Sequence, residues 1–125
     1  MLHFFSLSDR WFDLVAAGTK RYEGRRWWPK TQGVKVGDRI LFTHVWEPER
    51  TTEKEVVAVH RFPTFEAALM SLPLADVLPG VRTVGEGCGV YEQYVSRTTQ
   101  ERDGVVLFEL SDVGTGTPGA PPRQR

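Results

Sequence analysis

The strongest constraint on the fold is that every apolar run in this chain is short and soon meets a capping or turn-forming residue. Leu2–Leu7 is apolar and aromatic, as expected of a strand buried in a sheet. Ser8 follows as a candidate helix N-cap, with Asp9 at the positive end of the helix dipole. Trp11 and Val15 then share a face at i, i+4, and Gly18 offers the left-handed conformation that stops a helix. The spacing predicts a helix of about nine residues ending at Gly18, a length ordinary for globular proteins.

The same punctuation continues downstream. Val36-Gly37-Asp38 is turn chemistry, and Arg39–Trp46 and Glu53–His60 are two β-rich runs separated by a polar segment, which predicts an antiparallel pair. Thr64 is placed to cap a short helix over Phe65–Met70 that breaks at Leu72-Pro73, and Pro79-Gly80 marks a further turn. Gly104-Val105-Val106-Leu107-Phe108-Glu109-Leu110 closes the fold as a buried strand. Between them, Val84–Val95 reads as a loop by pattern, because Gly85, Gly87 and Gly89 each cost about 1 kcal/mol in a helix interior. Val90, Tyr91, Tyr94 and Val95 nonetheless recur at helical spacing, so a frayed start leading into a firmer helix is the alternative.

Composition bounds the rest. At 125 residues with 40% hydrophobic and 26% charged, the chain has room for one domain. Sixteen basic and sixteen acidic residues cancel, which excludes a polybasic coat or an acidic disordered chain. No run of about 18 apolar residues occurs, and the first residues lack a basic n-region, so neither a membrane span nor secretion is expected. The single cysteine, Cys88, forbids an intramolecular disulfide and suits a reducing compartment, cytoplasmic or nuclear. Residues 112–125, rich in Gly and Pro, are expected to be a flexible tail, leaving residues 1–111 as the domain.

The neutral total hides a local imbalance. Lys20 to Lys35 holds six basic residues and one acid, and Tyr22, Trp27 and Trp28 are interleaved with the first four of those cations. Cations that reach phosphates beside rings that stack on bases are what a nucleotide or single-stranded nucleic acid requires. The alternatives are a solvated charged face with the two tryptophans in the core, or a protein-interaction surface built on Trp27-Trp28. His3, His44, His60 and Cys88 lack ligand spacing, and no phosphate-binding or dinucleotide loop occurs, so neither a metal nor a cofactor is expected. Cys88 has no evident base to activate it.

At Gly18-Thr19-Lys20-Arg21-Tyr22-Glu23-Gly24-Arg25 the sequence resembles the G-x-K-x-x-E-x-R signature of the ASCH family, in the PUA-like superfamily. Val36-Gly37-Asp38-Arg39-Ile40 resembles that family's entry into a barrel strand, and Phe65-Glu66-Ala67-Ala68-Leu69 its F-x-x-x-L helix. Leu78-Pro79-Gly80, Glu86-Gly87, Tyr91, Tyr94 and Gly104-Val105-Val106 follow in the family's order, so the resemblance runs over residues 2–111.

The resemblance implies an α+β fold: a small PUA-like β-barrel of five or six mostly antiparallel strands with flanking helices. It also implies a ligand cleft at the signature segment. ASCH domains are associated with RNA or nucleotide ligands, and some are hydrolases, one acting on N(4)-acetylcytidine and another reported as a ribonuclease. The expected function is therefore binding of RNA, DNA or a modified nucleobase by a monomer, with a small metal-independent hydrolase as the alternative. Lys20, Glu23 and Glu86 are the candidate catalytic residues. Lys20, Arg25, Arg26, Trp27, Tyr94 and Ser96 are the candidate ligand-binding residues. The hydrolase pattern has a threonine three positions after its lysine, where this sequence has Glu23. A carboxylate there favours the ammonium over the free amine.

Overall fold

A computed structural model describes residues 1–114 of the chain. Five strands, β1 (Leu2–Leu7), β2 (Tyr22–Arg26), β3 (Arg39–His44), β4 (Thr51–Phe62) and β5 (Val105–Asp112), form one sheet in the order β1-β3-β4-β5-β2. Only β1 and β3 run parallel; the other three pairings are antiparallel. The expected β3–β4 pair is present, with Arg39 opposite Glu55 and Thr43 opposite Thr51. The sheet curls into a half-barrel rather than a closed barrel, which leaves β1 and β2 as facing edges. A register shift between Val56 and Ala58, with Val57 turned to solvent, bends the long β4 and helps the sheet curl.

Six helices flank the sheet: α1 (Asp9–Ala16), α2 (Pro29–Gln32), α3 (Phe65–Ser71), α4 (Leu74–Val77), α5 (Val84–Glu92) and α6 (Arg97–Asp103). One apolar cluster, including Phe5, Phe12, Val15, Ile40, Phe42, Val106 and Phe108, fills the concave side beneath α1. A second, with Tyr22, Phe65, Leu69, Leu78, Tyr91 and Leu107, lies on the other face beneath α3, α4 and α5. The alternation of β5 explains both: Val106 and Phe108 face one cluster, Val105 and Leu107 the other.

Several local expectations change on contact with the structure. Ser8 occupies the N-cap of α1, yet its side chain accepts no capping hydrogen bond. Gly18 ends the helix as expected, with φ at 82°, and the N–H groups of Gly18 and Thr19 return to the carbonyls of Val15 and Leu14. Thr64 does cap α3, accepting from the Ala67 N–H. The glycine-rich interval is helical from Val84, with Thr83 accepting from the Glu86 N–H. Packing outweighs propensity there: a Cβ on Gly87 would lie 2.7 Å from Leu69 Cδ1 and 3.2 Å from Leu78 Cδ1, so glycine lets α5 sit this close without displacing either leucine. β5 extends to Asp112, one residue past the expected domain end, and residues 115–125 of the expected tail lie outside the described residues. No described helix is long and apolar enough to cross a membrane.

Candidate functional site

The edges β1 and β2 do not hydrogen-bond along their lengths, and the seam between them holds a cleft of about 420 Å³. Ser6 and Leu7 of β1 and Trp11 of α1 wall one side, Lys20 and Glu23–Arg26 the other, with Tyr91 and Tyr94 on a third. Arg25 spans the seam: its Nη2 donates to the Ser6 carbonyl at 2.8 Å, and its guanidinium lies 4.8 Å from the centre of the Phe5 ring. One side chain of β2 therefore tethers both sheet edges across the cleft.

Lys20 reaches this place because the Gly18 turn reverses the chain after α1; the Lys20 N–H itself bonds the Leu14 carbonyl. Its side chain is buried, and Nζ donates to the carbonyls of Tyr22 at 2.6 Å and Val77 at 2.5 Å. Loss of hydration lowers its pKa from 10.5 to about 8; Glu23 opposes that fall and Arg25 adds to it. At neutral pH the group is therefore still an ammonium. Glu23, also buried, accepts from Arg25 Nε at 2.6 Å through Oε2. Period-two alternation on β2 puts Glu23 and Arg25 on the concave face and turns Gly24 to the other, where the Tyr91 ring approaches. Tyr91 stacks on Phe65 with centroids 3.8 Å apart, and its hydroxyl is buried without a hydrogen-bond partner among the described residues. Burial, reinforced by Glu23, pushes the phenol far above its usual range, so the hydroxyl stays protonated.

A family model for the ASCH domain matches residues 5–114. The chain belongs to the ASCH domain family. Among solved structures, hypothetical protein PH0355 is similar over 90% of this chain and 100% of its own, at 29% identity and a TM-score of 0.82. Protein PF0455 from Pyrococcus furiosus, solved in solution by NMR, is similar over 89% of this chain and 96% of its own, at 26% identity and a TM-score of 0.70. The ASCH protein of Zymomonas mobilis shares the fold at 17% identity, covering 89% of this chain and 67% of its own, with a TM-score of 0.63. No curated protein matches significantly.

Within this ASCH cleft, Lys20, Glu23, Arg25, Arg26 and Tyr94 are brought together as lining residues. Glu86, Trp27 and Ser96 are not among them. Glu86 sits at the start of α5, where Oε1 accepts from the Arg82 N–H at 3.0 Å, so it closes a helix terminus. Ser96 caps α6, accepting from the Thr99 N–H. Trp27 packs against the concave core beneath Arg61, whose guanidinium lies 3.7 Å from the ring centre. Trp28, the neighbour on the opposite side, is half exposed and lines the cleft instead. The two tryptophans thus do not form one surface.

The basic stretch is also more neutral in space than in sequence. Arg25 pairs with Glu23, and Arg26 pairs with Asp103 at 2.8 Å. Lys30 and Lys35 have no carboxylate partner among the described residues, and Lys30 lies 4.8 Å from the centre of the Phe5 ring. Cys88 is half-buried on α5, where burial raises its thiol pKa and leaves it a poor nucleophile. Among the described residues, no group of three or more His, Cys, Asp or Glu side chains is placed to hold a metal ion.

Proposed function

We propose that this ASCH domain binds a nucleobase in the seam cleft, presented by single-stranded RNA or DNA or by a free nucleotide, modified or unmodified. The juxtaposition of aromatic rings and cations at one opening carries the reading. Trp28 and Tyr94 are 42% and 64% exposed on the rim, beside Arg26 and Arg25. Rings left in water at a concavity suit stacking on a base, which is worth roughly 1–3 kcal/mol per base. Guanidinium groups beside them suit the phosphate that follows the sugar. A PUA-like fold, generally an RNA-binding one, supports the same reading. No cofactor enters it.

The test is affinity for a short fluorescent single-stranded RNA as a function of salt. Affinity should fall as salt rises, and Arg26→Gln should flatten that dependence. Trp28→Ala and Tyr94→Ala should each weaken binding at least about tenfold at every salt concentration, as expected for lost stacking. Salt-independent binding that ignores both aromatic substitutions would refute the proposal.

Lys20 supports hydrolysis on the same cleft as a second reading, because its lowered pKa brings a free amine within reach of mildly alkaline pH. Acting as a base, the amine would take a proton from water as the water oxygen bonds to the acyl carbon; the C–N bond then breaks, the nucleoside amine leaves with that proton, and the acyl group is released as acetate. Two observations favour binding over this reaction. Two N–H groups of Lys20 are committed to carbonyls, and Glu86 closes a helix terminus instead of lining the cleft. Acetate release from N(4)-acetylcytidine that is lost in Lys20→Ala would reverse that preference, and cleavage of RNA lost in the same variant would favour the ribonuclease form.

A further inference from the structure

The free edge of β2 offers hydrogen-bonding groups that the fold itself does not use. Arg21 and Trp27 bond across to Leu110 and Gly104, so by alternation the main chains of Glu23 and Arg25 also face β5. The main chains of Tyr22, Gly24 and Arg26 then face outward from the terminal strand. Two of those three carbonyls are taken. Lys20 Nζ donates to Tyr22 O at 2.6 Å, and Thr31 Oγ1 donates to Arg26 O at 2.7 Å. Gly24, between them, lines the cleft, and on that side its N–H and C=O have no partner among the described residues.

Tyr91 supplies a third polar group at the same spot. Its hydroxyl is buried and unpartnered, and it stands where a side chain on residue 24 would be, 2.7 Å from the position of a Cβ. A buried hydroxyl without a hydrogen bond has lost its hydration with nothing in return, so a ligand acceptor that reaches it gains by pairing with it. An extended peptide added to this edge would need successive outward-facing residues, and its neighbours on both sides are blocked by Lys20 and Thr31. One residue's N–H and C=O, flanked by capped carbonyls, fit a small planar group instead.

Resting on the base-binding reading above, we propose that the Gly24 N–H and C=O, together with the Tyr91 hydroxyl, read the pairing edge of the bound base. Gly24 O accepts from a ring or amino N–H of the base, and Gly24 N–H donates to the adjacent carbonyl or ring nitrogen. Tyr91, a neutral phenol, donates to a second acceptor. The ligand class is a heterocycle with an unsubstituted donor beside an acceptor: a lactam edge as in uracil and guanine, or an amino-imine edge as in cytosine and adenine. Gly24 is then the specificity-determining position, because any Cβ there would meet the Tyr91 hydroxyl.

Calorimetric titration of the full chain with the four ribonucleoside monophosphates tests this. Each is compared with a form methylated on the pairing edge (3-methyluridine, N4,N4-dimethylcytidine, N6,N6-dimethyladenosine and 1-methylguanosine monophosphates) and a form methylated at C5 or C8. The mononucleotide that binds most tightly should lose at least about tenfold in affinity when its pairing edge is methylated and about twofold or less when the remote carbon is. Equal binding of edge-methylated and unmethylated forms would overturn this assignment while leaving base binding intact. Failure of all four to bind would overturn this assignment, while base binding itself stands or falls separately on the single-stranded RNA titration. Tyr91→Phe should weaken the best ligand about tenfold while the thermal midpoint stays level or rises; unchanged affinity would overturn the role given to the hydroxyl.

Discussion

Titration of Lys20 tests whether the charge at the head of the cleft is truly withdrawn from water. Lys20 is 4% exposed, and its pKa is lowered from 10.5 to about 8, chiefly because burial removes hydration that two carbonyl acceptors only partly replace. The unfolded chain keeps the ordinary value. Between pH 8 and 10.5 the unfolded state therefore holds a proton that the folded state has released, and stability rises with pH across that window. A displacement of this size corresponds to about 3 kcal/mol, a burial penalty present in full below pH 8 and gone above 10.5. Tyr22, Tyr91 and Cys88 act oppositely: their raised values make the folded state hold its protons longer, which lowers stability above their ordinary values. The informative quantity is thus the difference between the wild-type chain and Lys20→Met in urea denaturation at several pH values. That difference should move in favour of the wild type by about 1.4 kcal/mol per pH unit above pH 8. A difference constant from pH 7 to 10 would refute the reasoning, as would an NMR titration of the lysine side chain with its midpoint near 10.5.

Other consequences follow from the same packing. Tyr91→Phe should raise the stability of the ligand-free protein by roughly 1–3 kcal/mol in urea denaturation, since it removes a buried unpartnered hydroxyl and keeps the ring stacked on Phe65; a loss would mean the hydroxyl is bonded. Gly24→Ala should cost about 1–3 kcal/mol by overpacking, and a double-mutant cycle should show much of that cost vanishing in a Tyr91→Ala background. Asp38 accepts from His3 at 2.8 Å and from the Lys35 N–H, which holds its pKa near 2 rather than 3.8. Its stabilisation is therefore present above pH 3.8 and lost as pH falls through 2, so the deficit of Asp38→Asn seen at pH 6 should shrink on acidification.

What could be read from the sequence divides along physical lines. Gly18, Thr64 and the Leu72-Pro73 break act within a few residues, so α1, α3 and their ends were legible, as were the β-branched and aromatic runs of β1, β3 and β5. β2 was not, because Tyr22-Glu23-Gly24-Arg25-Arg26 carries a glycine and three charges and is stabilised by its partner β5 and by the cleft rather than by propensity. Its period-two arrangement, with Glu23 and Arg25 opposite Tyr22, Gly24 and Arg26, was the available signal. The short helix α6 (Arg97–Asp103) likewise went unread, although Ser96 was there to cap it. The motif resemblance brought Lys20, Glu23 and Arg25 to attention, whereas Glu86 and Ser96 drew notice for chemistry that helix termini consume. Tyr91 was noticed for its helical spacing and its place in the motif series, not as a site residue; its unpartnered hydroxyl lies against Gly24, far away in the chain, and no local pattern carries that.

The most direct measurement is an NMR titration of the isotopically labelled chain with a short single-stranded RNA, followed at backbone amides and indole N–H groups. Base binding in the seam predicts saturable shifts concentrated at residues 22–28 and 90–95, with the Gly24 amide and the Trp28 indole among the largest. Shifts that saturate on the exposed face around Phe4 and Val57 while Gly24 and Trp28 stay still would contradict it.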